Sequence, residues 1–134
     1  FETSVLALFF NATPIADLAA DDQSSPATTL TISLHTGDPG EAGTMTTSEA
    51  AYTSYARQTV ARTSGGWTVA SGSVSPVAAI TFPEATGGTE TITHFGVGTG
   101  VSNNLMYSGT VTPNISVVSG VQPVLKTTST ITED

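Results

Sequence analysis

A chain of 134 residues is long enough to bury one core without staples, and with 38% hydrophobic and only 10% charged side chains it must cover its surface largely with hydroxyl and amide groups. Eleven acids stand against Arg57, Arg62 and Lys126, and the formal charge of −8 argues against phosphate backbones and anionic lipid surfaces, so neither nucleic acid nor membrane is an expected partner. Cysteine is absent, which excludes a disulfide frame and a thiolate metal site and leaves stability to packing or assembly.

In chain order, the apolar run from Val5 to Phe10 is far shorter than the roughly 20 residues a membrane span requires, and no basic segment precedes it. Val5, Leu8 and Phe9 fall at helical i, i+3, i+4 spacing, which predicts a short helix over 4–11 with Thr3 or Ser4 as its N-cap. Phe9 and Phe10 either plug an open end of a sheet or touch a partner. Thr13-Pro14 resembles a second cap, with Ile15 and Leu18 as an apolar pair before Asp21-Asp22. Residues 1–27 are thus expected to form a helical or loop-like arm.

The period changes to two at Leu30, Ile32 and Leu34, the pattern of a half-buried strand. Turn formers from Gly37 to Gly43 stop it, and residues 36–54, with no period of either kind, read as a long exposed loop in which Met45 and Tyr52 are candidate partner anchors. Strand-like segments recur over 56–62, 67–74, 79–82, 91–98, 105–111, 115–118 and 121–131, separated by Gly, Pro, Asn or Ser. Turn signals spaced by about 8–12 residues mark an antiparallel sandwich or barrel. Threonine, roughly a fifth of the chain, suits a pleated surface with a wet face. The expectation is a mainly β chain, one antiparallel β-sandwich or jelly-roll-like barrel over 1–134, with a short N-terminal helix.

The chemical inventory is thin. His35 and His94 each end or interrupt a predicted strand, and a zinc site built on them needs two further ligands, while Asp38 and Glu90 stand at no metal spacing. Glu84 and Glu90 flank a Gly87-Gly88 turn and read as solvated loop acids. No Gly-x-Ser-x-Gly elbow and no calcium loop is present, and the triplets at Asn11 and Asn114 are too common by chance to imply a glycan. No catalytic, cofactor or metal residue is assigned, and an enzyme is not expected. The scarce arginines invite a structural reading, in which the planar fork of Arg57 ties a loop acid, Asp38, to the sheet.

The ordered set Leu34-His35-Thr36-Gly37-Asp38-Pro39-Gly40, Tyr55-Ala56-Arg57, Gly66-Trp67, Ile80-Thr81-Phe82-Pro83, Thr93-His94-Phe95-Gly96-Val97-Gly98 and Leu105-Met106-Tyr107-Ser108-Gly109 resembles small virion proteins of tailed bacteriophages, often labelled tail fibre proteins. The resemblance covers nearly the whole chain. It implies a virion component, for which two placements are open. A head decoration, or cement, protein on the outside of the major capsid lattice needs a compact body with many shallow contacts, gathered by self-association as a homotrimer. A fibre shaft calls for heptads, collagen-like runs or repeats, none of which the sequence contains. Decoration is therefore the expected role; the alternative is a tail fibre or minor tail protein, including one that binds host glycans through an aromatic platform at Trp67.

Overall fold

The computed structural model describes residues 1–16, 18 and 25–132. Its elements in chain order are α1 (Glu2–Asn11), β1 (Thr29–His35), β2 (Gln58–Ala61), β3 (Trp67–Ala70), β4 (Ser73–Pro76), β5 (Ile80–Thr81), β6 (Glu90–Gly98), β7 (Leu105–Val117), β8 (Val124–Leu125) and β9 (Ile131–Thr132). The chain is mainly β with one short N-terminal helix, and all its strand pairings are antiparallel. They form a four-stranded sheet in the order β2-β1-β6-β7, a three-stranded sheet β3-β4-β9 and a ribbon β5-β8. No closed barrel forms among the described residues.

The core draws on every sheet: Leu30, Ile32 and Leu34 from β1, Ile92 and Val97 from β6, Trp67 from β3, Val74 from β4, Ile80 from β5 and Leu125 from β8. Leu6 and Phe10 of α1 are fully buried in the same cluster. The helix therefore packs into the core, against β3 and β4, instead of standing off as an arm. Its buried stripe is not the predicted one. Because Val5–Phe10 is apolar all round, spacing alone does not select a face, and packing chooses Leu6 and Phe10 at i, i+4 while Val5, Leu8 and Phe9 are half-buried.

The helix also begins earlier than predicted. Phe1 is the N-cap and makes no side-chain cap bond, while Thr3 Oγ1 accepts a hydrogen bond from the Gly72 amide at 2.6 Å. A ten-residue helix is marginal in isolation, so its ends need partners. The C-terminal carbonyls find one in Arg62: Nε donates to Phe9 O at 2.6 Å and Nη2 to Leu8 O at 2.8 Å, placing a cation at the negative end of the helix dipole. Beyond it, Leu18 closes a turn onto Ile15 O at 3.1 Å, and the Asp21-Asp22 stop lies outside the described residues.

Two predicted strands are redrawn by backbone geometry. The segment 67–74 is a hairpin, because Ser71 (φ 51°) and Gly72 (φ 72°) both take left-handed conformations that reverse the chain between β3 and β4. The segments 105–111 and 115–118 join into the single strand β7, whose register against β6 slips between Ile92 and His94 and between Val97 and Gly98.

Candidate functional site

The residues with chemistry gather where the 36–54 loop folds back over the sheet. β1 should alternate between core and solvent, yet Ser33 and His35 are as buried as Leu34 because the loop covers their face. Loop and strand are stitched by Ala50 N donating to Leu34 O at 2.8 Å and Thr36 N to Ser48 O at 2.8 Å. The loop has no regular secondary structure, as expected, but it is not wholly exposed. Met45 and Tyr52 point inward, at 0% and 3% exposure.

Five side chains, those of Glu49, Tyr55, Arg57, Glu90 and Asn103, hold this loop in place. Glu49 receives a fork from Arg57, Nε to Oε1 at 2.6 Å and Nη2 to Oε2 at 2.8 Å, and a third bond from the Tyr55 hydroxyl at 3.0 Å. Arg57 Nη1 donates onward to Asn103 Oδ1 at 2.8 Å, which ties the turn before β7 into the network. Tyr55 Oη also accepts from the Leu34 amide at 3.1 Å. A second carboxylate, Glu90 at the start of β6, accepts from Ala51 N and Tyr52 N, both at 3.0 Å to Oε1. Burial alone would raise the Glu49 carboxyl, but the hydrogen bonds from Arg57 and Tyr55 outweigh it and hold it below the usual carboxylate range. Burial pushes the Tyr55 phenol upward, and the hydrogen bond to Glu49 keeps Arg57 firmly charged.

His35, at the end of β1, and His94, in the middle of β6, are register partners across the two strands. His35 Nδ1 lies 2.7 Å from Thr47 O, a group that only accepts, so Nδ1 carries the proton and Nε2 accepts from Ser33 Oγ at 2.8 Å. His94 Nδ1 pairs with Thr93 Oγ1 at 2.8 Å. Gly96 makes room for the His35–Ser33 pair: a Cβ there would sit 2.8 Å from both His35 Nε2 and Ser33 Oγ and 2.6 Å from Leu105 Cδ1. No group of three or more metal-ligating side chains occurs among the described residues.

Desolvation lowers the His35 pKa below its ordinary value, and this has a consequence for stability. In the unfolded chain the imidazole takes up a proton near pH 6.5, whereas folded His35 stays neutral to lower pH. The unfolded state then binds more protons, so stability is full above about pH 6.5 and declines as pH falls from there towards the folded value. Thermal unfolding at pH 7.5 and 5.5 should show the native chain losing melting temperature, and His35→Gln losing less of it over the same interval.

The residues singled out in the sequence separate into several fates. Arg57 makes its structural pair with Glu49, not with Asp38, whose carboxylate instead accepts from Gly40 N at 2.9 Å within its own turn. The pairing follows from reach: Glu49 bridges His35 at the end of β1 and its carboxylate meets Arg57 and Tyr55, while Asp38 sits on an exposed turn. Phe10, Met45 and Tyr52 are core residues of the protomer and present nothing to a partner, because each fills space between packed elements. Phe9 is half-buried against Phe10 and Tyr107, with ring centroids at 5.0 and 5.2 Å. Glu90 is a backbone clamp, not a solvated loop acid. Glu49, Tyr55, Glu90 and Asn103 were not selected by any motif; the one available signal was the scarcity of cations, which made the acid nearest in sequence to Arg57 a stronger partner than a motif neighbour.

A model of the podophage GP4 fiber I protein gp80 family matches residues 11–132. No curated protein matches the chain. The match spans both sheets, the stitched loop and the whole of β7, and includes all six segments that resemble phage virion proteins. The chain belongs to the podophage GP4 fiber I protein gp80 family, a family of virion structural proteins.

Proposed function

We propose that the protein is a non-catalytic building block of a phage tail fibre, working as a rigid adhesive body. The family match supports this reading, since its description names a fiber, and the architecture suits it. A loop that would otherwise be mobile is fixed by two clamped carboxylates, Glu49 and Glu90, which lowers the entropy lost when the body docks. The charge-poor, hydroxyl-rich surface favours broad, shallow contacts with neighbouring protein.

Head decoration is the second reading, supported by the absence of heptads or collagen-like runs in the sequence. In it, the same surface would seat on the major capsid protein as a trimer. A glycan platform at Trp67 draws no support from the fold, because that ring is 3% exposed and packs on Phe10 at 4.8 Å. Quantitative mass spectrometry of separated heads and tails distinguishes the two placements. The fibre reading expects the chain to travel with tails; recovery with tail-free heads would replace it by the decoration reading.

A further inference from the structure

Of the three basic side chains in the sequence, two are spent on structure: Arg57 on Glu49, and Arg62 on the carbonyls that end α1. The third, Lys126, is exposed and has no acidic partner among the described residues. It lies in a groove of about 560 Å³ whose lining holds no Asp or Glu, although the chain carries eleven acids.

A break in strand pairing builds one wall of this groove. Between the register pairs Ile92–Ile115 and His94–Thr110, Thr93 alone of β6 faces residues 111–114 of β7, so β7 bulges there. Thr112, Pro113 and Asn114 are exposed in succession as a result. The other wall follows β8, where Ser129 N donates to Lys126 O at 2.9 Å and closes a turn. Thr112, Asn114 and Ser116 line the first wall, and Lys126, Thr128 and Thr130 the second. Among the described residues, none of these six side chains is hydrogen-bonded within the chain.

Hydroxyls and the Asn114 amide both donate and accept, which matches the hydroxyls of a sugar better than the acceptor-only carboxylates of an acidic peptide. Pro113 and Val124 add apolar surface to the lining, which suits the C–H face of a sugar ring. One ammonium in an acid-free lining favours a ligand carrying a carboxylate, and acids farther off than about 8 Å are largely screened at physiological salt. The geometry points to a binding site for an acidic saccharide, a uronic or sialic acid unit held at its carboxylate by Lys126 and at its hydroxyls by the hydroxyl and amide side chains of both walls. This inference rests on the adhesive reading above and names what the rigid body holds, on a surface other than the buried Trp67 ring.

Titration of the isotope-labelled full chain, followed by amide chemical shifts at pH 7 and physiological salt, tests it. Sialyllactose and trigalacturonate are the acidic probes; lactose, acetate and tetraglutamate are the controls. At least one acidic probe should bind with a dissociation constant of about 1 mM and shift the amides of residues 110–116 and 126–130. Lys126→Gln should weaken that binding about tenfold, and Asn114→Ala about threefold, with the remaining shifts of the free chain unchanged. Silence from both acidic probes, shifts centred elsewhere, undiminished binding by Lys126→Gln, or a control that binds as tightly as the acidic sugars would each overturn the proposal. The titration uses the isolated chain, so its failure leaves the fibre placement standing, and recovery of the chain with heads leaves a positive titration standing.

Discussion

Phe10→Ala should lower stability by about 4 kcal/mol, the range found when a fully buried aromatic is truncated to a methyl group. For a chain of 134 residues this is a fall in melting temperature of about 15 °C. The ring is 0% exposed and sits among Phe9, Trp67 and Tyr107, at centroid distances of 5.0, 4.8 and 5.5 Å. Its two closest contacts are edge-on, the arrangement in which aromatic pairs attract most. No neighbour can collapse into the gap without leaving its own rotamer, since Trp67 is held in β3 and Tyr107 in β7. Leu6 is then the one fully buried side chain left on α1, so the helix should also become sensitive to limited proteolysis before the sheets unfold. A loss below 1 kcal/mol would show that the helix rests on the surface.

Arg57→Ala should cost about 2 to 3 kcal/mol, and about 10 °C in melting temperature, because it leaves the Glu49 carboxylate in place without its principal partner. The side chains of Arg57 and Glu49 are 24% and 16% exposed, too covered for the weak energetics of a surface pair. Tyr55 retains one bond to Glu49, which keeps the cost below that of a fully buried pair. In the variant the upward push of burial on the Glu49 carboxyl is no longer outweighed by the guanidinium, so its titration should move up. Arg57→Lys keeps the charge but not the fork, and should recover less than half of the lost stability. Chemical denaturation of the three proteins at pH 7 measures these stabilities, and a change within experimental scatter for Arg57→Ala would mean that the loop is held by Glu90 and Tyr52 without it.

The alternation of Leu30, Ile32 and Leu34 was readable because a strand with one core face leaves that mark on its sequence. What it concealed was the second covered face. His35 and Ser33 sit at wet positions of the alternation, and only a loop returning from a distance, through Thr47 O and Ala50 N, buries them. The same return makes Met45 and Tyr52 core residues, a fact absent from the local pattern of 36–54. Apolar anchors in an irregular segment read as exposed unless the partner surface is known, and here the partner is the chain's own sheet.

The hairpin at Ser71-Gly72 was legible in principle, since a Ser-Gly dipeptide between two apolar runs is a turn signal that the strand-like run over 67–74 outweighed. The pairing of Arg57 was not. Sequence placed Asp38 inside a conspicuous Gly-Asp-Pro-Gly turn, but that turn uses the carboxylate for its own closure on Gly40. The partner Glu49 lies in an unremarkable stretch and is brought to Arg57 by the long-range fold. Membership of a virion family was carried by six short segments in order, and placement on the particle was not, because a compact all-β body with a quiet surface serves head and tail equally well.

The central claim is that this fold is a rigid structural unit of the particle, and a cryo-electron microscopy map of the intact virion addresses it most directly. The account predicts repeated density into which the β2-β1-β6-β7 sheet, with α1 and the stitched 36–54 loop, fits as one unchanged body attached to the tail. A complete virion map in which no density accepts this body, at the tail or on the head, would contradict it.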